Sequence, residues 1–275
     1  MTTAKVIVIT GSTRGIGRGL AAEFLQRGHH VVISGRSEAA VQTAAQELAS
    51  HSRDGARVIG VAGDVSLRTD LEKLWRESIG TFGRVDIWIN NAGVSNSRQR
   101  GGEMQAADIS AIQHINLSGV LHATQIVLAG MRQQATRGTI YNMEGFGSNG
   151  MMRPGMSLYG ASKFALTYFN KALLAETRGS GVKICYLSPG IVLTDLLKRD
   201  MGEPGSAEFE RTRKVYEILA DRVETVAPWL VERILANDRD GSRIAWLTSG
   251  KAAGRFFGSL FRRRQVLAAS DFARD

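Results

Sequence analysis

KVIVITGSTRGIGRGLAAEFLQRGHHVVISGR, residues 5–36, runs from a β-branched segment through a glycine-rich turn and a helical stretch into a second β-branched segment. Lys5–Thr10 and His30–Ser34 are nearly continuous in Val and Ile, the composition of strands covered by helices on both faces. Ile16–Arg27 between them has helical period, so the three elements make a βαβ unit with parallel strands. In the turn, Gly11, Gly15 and Gly17 permit a tight bend, close approach of a pyrophosphate to the backbone, and close helix–strand packing. Unsatisfied N–H groups at the helix N-terminus then face the phosphates, which makes Gly11, Ser12, Thr13, Arg14, Gly15, Ile16 and Gly17 candidate dinucleotide contacts. The spacing is Gly-x-x-x-Gly-x-Gly rather than Gly-x-Gly-x-x-Gly, and taken alone it also suits an ordinary glycine-rich turn.

The same alternation continues outward. Further strands are expected at Arg57–Ala62, Val85–Asn90, Gly138–Met143, Lys183–Leu187 and Arg243–Thr248, and helices at Glu38–Ser50, Leu67–Thr81, Ala106–Gln134, Leu158–Arg178 and Pro228–Ala236. The pattern predicts an α/β fold: a single doubly wound domain with a seven-stranded, mainly parallel sheet and helices on both faces. Residues 1–250 form that domain and 251–275 a basic extension. Leu196–Arg211, with Pro189 and Pro204 flanking the irregular stretch, is expected to act as a substrate lid.

Of 275 residues, 43% are hydrophobic and 22% charged, which excludes a largely disordered chain. The single cysteine, Cys185, excludes an internal disulfide framework and a cysteine-only zinc site, and no metal site is expected. No apolar run approaches the roughly 20 residues that span a bilayer, and MTTAKVIVIT has too short an apolar stretch for a secretory signal. A cytoplasmic protein is expected. Residues 251–275 carry Lys251, Arg255, Arg262, Arg263, Arg264 and Arg274 against Asp271 and Asp275, nearly half of the formal charge of +9. The remaining excess is scattered and no nucleic-acid signature accompanies it, so nucleic acid is not an expected partner.

Two further features carry chemistry. After the second strand, the position where an NAD site places a ribose-binding carboxylate is Gly35, followed by Arg36. With Arg14 in the glycine turn, two guanidiniums would pair with a 2′-phosphate, which favours NADPH/NADP over NADH; the plain alternative is two solvated surface arginines. Tyr159 and Lys163, in Tyr-Gly-Ala-Ser-Lys, share one helical face at i, i+4. An ammonium near a phenol lowers its pKa, which suits a proton donor working near neutrality. Alone, the pair also fits an exposed helix start.

TGSTRGIG, Asp64-Val65, Asn90-Asn91-Ala92-Gly93, Asn116, Tyr159/Lys163 and Ser188-Pro189-Gly190 occur in this order, and together they resemble the short-chain dehydrogenase/reductase family across Lys5–Thr248. That resemblance implies a Rossmann domain that binds a nicotinamide dinucleotide and transfers hydride to or from a small-molecule carbonyl or alcohol. It implies that Asp64 accepts from the adenine amino group with Val65 against the ring, and that Asn91 stiffens the end of the fourth strand while Ala92 and Gly93 line the adenosine. Pro189, Gly190, Ile191 and Thr194 would contact the nicotinamide. Tyr159 would be the acid, Lys163 would also hold the ribose, and Asn116 would hold a water linking Lys163 to solvent. Physically, Asn116 also suits a satisfied interhelical contact, and Ser-Pro-Gly a strand-to-loop turn. The resemblance further implies a homodimer or homotetramer built on the long helices Ala106–Gln134 and Leu158–Arg178.

The family's usual serine, thirteen residues before the tyrosine, is Phe146 here. The nearest hydroxyl is Ser148 in Asn142-Met143-Glu144-Gly145-Phe146-Gly147-Ser148, making Ser148 the candidate for orienting the substrate oxygen; otherwise it is a loop serine. This run, YGASKFAL and LSPGIVLTDLL (Leu187–Leu197) resemble the chlorophyll(ide) b reductases. Thr225-Val226-Ala227, Ile244–Thr248, Phe256-Phe257 and Arg262–Arg264 extend the likeness. It implies NADPH-dependent reduction of a C7 formyl group on a tetrapyrrole. A reductase of another carbonyl, such as a 3-oxoacyl thioester or ring ketone, shares these motifs, and a non-catalytic dinucleotide-binding regulator is the third alternative. Phe146, Met151, Met152, Met156, Leu193, Leu196 and Leu197 suit a large flat apolar ligand, and equally suit ordinary packing. Phe256, Phe257, Leu260 and Phe261 stand at helical spacing in Gly254–Leu267, before three arginines. That segment can dock on an anionic membrane, cover the sheet edge or pack on another subunit.

Overall fold

The computed structural model describes residues 3–96, 101–199, 201, 205–262, 264–268 and 271. Pro204, Arg263, Arg274 and Asp275 therefore lie outside the described residues. Seven strands, β1 (Val6–Ile9), β2 (His30–Gly35), β3 (Val58–Ala62), β4 (Ile87–Asn90), β5 (Thr139–Met143), β6 (Lys183–Ser188) and β7 (Arg243–Ala245), form one sheet in the order β3-β2-β1-β4-β5-β6-β7. Every pairing is parallel. The winding reverses between β1 and β4, and in such sheets the crevice beyond the strand carboxyl ends at the reversal is where ligands bind. The glycine turn leaves β1 at that point and Asn91–Gly93 leave β4 there.

Alternation along the strands divides the core into two layers. Ile7, Ile9 and Ile33 join Leu20, Phe24 and Leu25 of α1 (Gly15–Gln26), Leu48 of α2 (Glu38–Ala49), and Leu230 and Ile234 of α9, which spans Val223–Leu235. Val8, Val32 and Trp88 face the other way, against Leu71 and Leu74 of α3 (Arg68–Phe82) and Val127 and Met131 of α5 (Gly119–Gln133). Each fully buried aliphatic side chain contributes about 1.5–3 kcal/mol of transfer free energy, so both layers hold the helices against the sheet.

Four expectations need correction. Ala106–Gln134 is not one regular helix: α4 (Ala106–Ile112) and α5 are joined by a π-helical turn, Gln113–Ser118. The last long helix starts at Val223, not Pro228; the proline sits inside it, and its missing N–H costs one intrahelical bond that burial of Val226, Leu230 and Ile234 outweighs. Leu196–Arg211 is helical, not irregular, at both of its described ends, with α7 (Asp195–Arg199) at one and α8 (Ala207–Leu219) entered at the other. Ser206 caps α8 by accepting from the Phe209 N–H at 3.0 Å, and Met201, Phe209 and Tyr216 bury themselves together. β7 is shorter than expected, because Trp246–Thr248 leave the sheet to start α10 (Ser249–Ser259). The remaining long helix is α6 (Ser157–Glu176).

Candidate active site

The glycine turn is built for close approach. Gly11 (φ +62) and Gly15 (φ +59) adopt left-handed conformations, and a Cβ on Gly11 would stand 2.7 Å from Ala92 Cα. Ser12 is fully buried and serves the fold: its hydroxyl donates to Ile9 O at 2.6 Å and accepts from the Ser34 N–H at 3.0 Å, clamping the turn between β1 and β2. Asn91 Nδ2 donates to Thr10 O and Gly11 O at 2.9 and 2.8 Å, and Thr10 Oγ1 accepts from the N–H groups of Asn91 and Ala92. The β1 and β4 ends are thus one rigid unit. Arg14, at the N-cap of α1, supplies no side-chain cap, so the helix presents its amides outward beside Ile16 and Gly17. A Cβ on Gly15 would be 3.5 Å from Thr194, which leaves the turn and the loop after β6 facing each other. A Cβ-free cradle with free helix amides suits a pyrophosphate.

Thr13 packs on Gly35, whose Cβ would be 2.8 Å from Thr13 Cγ2, and Arg36 is exposed beside it. Arg14 pairs with Asp195 at 3.4 Å across the cleft mouth, both side chains largely in solvent. Asp64 accepts from the Ser66 N–H at 2.9 Å, and Val65 joins the core layer under the β3 end. Pro189 is buried and Gly190 has φ +75, a conformation that brings it against Leu247. Ile191, Val192 and Leu193 are fastened by a bridge to Asp221: Asp221 N–H donates to Ile191 O, and Leu193 N–H to Asp221 O, each at 2.9 Å.

The residues expected to handle the proton meet at the end of β5. Tyr159 and Lys163 occupy the first turns of α6, both buried, with Lys163 Nζ 5.8 Å from the Tyr159 ring centre. Lys163 Nζ donates to Met143 O at 3.1 Å. Burial pushes its ammonium down to about 8, while the Glu144 carboxylate pulls the other way. Asn116 lies in the π-helical turn, a feature frequent at functional sites, and is fully buried. Its amide accepts from Val94 N–H and donates to Val94 O, both at 2.8 Å, and Nδ2 lies 3.4 Å from Ser162 Oγ. A Cβ on Gly93 would stand 3.4 Å from Asn116 Oδ1 and 3.9 Å from Lys163 Nζ, so β4, the π turn and α6 converge on one point.

Ser148 is buried, and its hydroxyl accepts from the Gly145 N–H at 3.1 Å. Gly145 faces the Tyr159 hydroxyl so closely that a Cβ there would overlap it. Ser148 therefore shapes the backbone against which the tyrosine rests. Phe146 packs with Ile112, Met156 and Tyr159, whereas Met151 and Met152 are exposed and Leu197 belongs to the Met201–Phe209 cluster. The apolar residues named from sequence are thus divided among three environments.

Four features escape the sequence: Gly145 as the neighbour of the tyrosine hydroxyl, the Met143 carbonyl under Lys163, the Glu144–Arg243 pair, and Asp221. Asp221 is buried and bound by Trp246 Nε1, Arg255 and Arg264 at 2.6–2.7 Å. Burial pushes its carboxyl up, but those donors outweigh burial and hold it below its usual range. Two of the tail arginines thus clamp the extension onto the α8–α9 connection, which is itself bridged to the loop after β6. Among the described residues, no group of three His, Cys, Asp or Glu could hold a metal. No helix among them is long and apolar enough to cross a membrane.

A parallel sheet with its phosphate cradle at the winding reversal, and a tyrosine–lysine pair at the neighbouring strand end, define a dinucleotide-dependent oxidoreductase. The short chain dehydrogenase family profile matches residues 5–203, and the chain belongs to that family. It is 36% identical over 266 residues to the chlorophyll(ide) b reductase NOL, chloroplastic, of Arabidopsis thaliana, covering 94% of this chain and 74% of that protein. It is also 36% identical over 256 residues to the probable chlorophyll(ide) b reductase NYC1, chloroplastic, of Oryza sativa subsp. japonica, covering 88% of this chain. The chain spans about half the length of the NYC1 proteins it matches (49% and 53%). Among solved structures, a 3-ketoacyl-(acyl-carrier-protein) reductase from Brucella melitensis complexed with NADH superposes with TM-score 0.76 at 25% identity, over 90% of this chain and 98% of that one.

Proposed function

We propose that this chain reduces the C7 formyl group of chlorophyll(ide) b, or of a similarly bulky aldehyde, to an alcohol with NADPH. The observation that carries the reading is the 36% identity to a chlorophyll(ide) b reductase over 94% of the chain. Bound NADPH supplies the hydride. The glycine turn and the α1 amides hold the pyrophosphate, Asp64 and Val65 the adenine, Asn91–Gly93 the adenosine, and Pro189, Gly190, Ile191 and Thr194 the nicotinamide. Arg14 and Arg36, with no carboxylate at Gly35, select the 2′-phosphate. Tyr159 donates a proton to the developing alkoxide, Lys163 stabilises the phenolate left behind, and Ser148 orients the oxygen through the loop it shapes. Asn116 links Lys163 to solvent.

Residues 196–211 cover the substrate. Phe164 and Tyr168, exposed one turn apart on α6, support assembly as a homodimer or homotetramer. The exposed Phe256, Phe257, Leu260 and Phe261 support peripheral contact of the extension with a membrane.

The test is absorbance of purified protein with NADPH and chlorophyllide b, with Tyr159→Phe as control. A Soret shift toward the 7-hydroxymethyl product, lost in the variant, is expected. No shift while NADPH fluorescence still reports binding would reject the tetrapyrrole substrate.

A further inference from the structure

The loop that receives Lys163 and faces Tyr159 is Met143–Gly145, and the residue between those two contacts is an acid. Glu144 is nearly buried, its side chain 8% exposed, and its N–H donates to Leu187 O at 2.7 Å. Its carboxylate receives Arg243 of β7 at two nitrogens, Nε at 2.8 Å and Nη2 at 2.7 Å. Arg243 Nη2 also lies 3.2 Å from Ser188 Oγ. One carboxylate therefore ties the β5 end to β6 and β7 while standing next in sequence to the carbonyl that Lys163 binds.

The groups facing Lys163 can be enumerated. From the loop after β5 comes Glu144, from its own helix Tyr159, from the π turn the neutral Asn116, and from the β4 end Gly93. Glu144 is faced in turn by Arg243 and by Tyr186 of β6, whose phenol is raised by burial first and by Glu144 second. Among the described residues, the one full charge that acts on Lys163 is thus negative, and it is itself moderated by a half-exposed arginine. In a buried setting such a charge acts with little screening.

We propose that Glu144 is a positioning residue for proton transfer, holding Lys163 in its ammonium form, and that Arg243 sets the strength of that hold. A charged Lys163 stabilises a Tyr159 phenolate; a neutral one does not. The proposal rests on the reductase reading for its catalytic meaning, but the charge state of Lys163 can be measured without any substrate.

The experiment is a pH titration of [13Cε]lysine-labelled protein by NMR, with the Lys163 signal identified by its absence in Lys163→Met. In the parent the midpoint is expected near 8. In Glu144→Gln it should fall by roughly half a pH unit or more, and in Arg243→Gln it should rise, because the carboxylate is no longer offset. Loss of a merely structural contact would not move the two midpoints in opposite directions. An unchanged midpoint in Glu144→Gln, or displacement of both variants the same way, overturns the proposal. Should Glu144→Gln fail to fold, Arg243→Gln decides alone: a midpoint that stays or falls rejects it. Absence of turnover with chlorophyllide b would leave these titrations intact, so failure of the substrate assignment and failure of this proposal are separable.

Discussion

Asn142 Nδ2 donates to Asn170 Oδ1 at 2.5 Å, joining β5 to α6 through two buried side chains. The contact ends a chain in which Trp88 Nε1 donates to Asn90 Oδ1 at 2.8 Å and Asn90 Nδ2 to Asn142 Oδ1 at 2.7 Å. Asn170 lies two helical turns beyond Lys163 on the same face, and Asn142 directly precedes Met143. This hydrogen bond therefore sets how far α6 slides along β5, which decides whether Lys163 meets the Met143 carbonyl. Replacing Asn170 by Leu leaves the Asn142 Nδ2 donor without its acceptor in the core, while Asn142 Oδ1 keeps Asn90. Urea unfolding should register a loss of about 1–3 kcal/mol, and kcat should fall more than KM rises. An unchanged stability would mean the chain of amides is dispensable.

Lys163 is held at a thermodynamic cost. Its ordinary value is 10.5 and burial lowers it to about 8, so the fold disfavours the ammonium. At pH 7 both folded and unfolded chains carry the proton, and the penalty, on the order of 3 kcal/mol at most, is fully present. As pH rises through 8 the folded chain loses the proton first and the penalty fades, disappearing above the unfolded value. Lys163→Met should accordingly raise Tm at pH 7 while abolishing turnover, and its advantage should shrink by pH 10. A Tm gain that does not depend on pH would point to packing instead of charge.

The extent to which the molecule could be read in advance follows from the range of the interactions involved. Val6–Ile9 and the glycine turn declare themselves because strand period, turn chemistry and helix period are all local, and the seven strands were placed to within a few residues. The π turn around Asn116 was not legible, since six residues do not distinguish its period from that of an α-helix. The sequence reading starts the last of its helices at Pro228, whereas tertiary burial carries α9 through the proline from Val223. Asp221 was invisible for a different reason. Trp246 and Arg264, two of its partners, lie 25 and 43 residues away, and no local pattern links them. Gly145 left a faint signal as one of several glycines in an unusual loop, but only the fold shows that it faces Tyr159.

Asp221 predicts how the C-terminal extension detaches. Its carboxyl is held below the usual value of 3.8 by Arg255, Trp246 and Arg264 against the upward push of burial. That contribution is present above 3.8 and is lost as pH falls through the lower folded value. At pH 7 the clamp is opened instead by Asp221→Asn, which strands two guanidiniums that are 14% and 30% exposed. A loss of about 3–5 kcal/mol is expected, with early proteolytic cleavage after Arg255 or Arg262. The loop Ile191–Leu193 is bridged to the main chain of the same residue, so a shift of that segment once its side-chain clamp is gone should weaken NADPH affinity in parallel. Cleavage no faster than in the parent would show that the extension is held elsewhere.

The proposed preference for NADPH is tested at Arg36. It is exposed at the β2 end and Gly35 offers no competing acid, so a 2′-phosphate would gain a charge-assisted contact that a ribose hydroxyl cannot. Arg36→Ala should weaken NADPH binding about tenfold, as read by nucleotide fluorescence, and leave NADH almost unchanged. Equal losses for both nucleotides would assign Arg36 to the surface and shift the discrimination to Arg14.

Gly145 offers the sharpest separation of chemistry from folding. Its backbone φ is not in the left-handed region, so alanine introduces no conformational strain there. The added methyl would nonetheless overlap the Tyr159 hydroxyl and stand 3.2 Å from Lys163 Cε. The Tyr159 ring is packed against Ile112 and Met156 and has little room to yield, so the hydroxyl must move relative to the substrate. Misplacement of a reacting group by about 1 Å costs about 10²-fold in rate. Gly145→Ala should therefore retain NADPH binding and a near-parental Tm while losing turnover on that scale. Activity within a factor of two of the parent would mean that the loop relaxes away from Tyr159, and that its path is set by the Ser148–Gly145 hydrogen bond less firmly than the 3.1 Å contact implies.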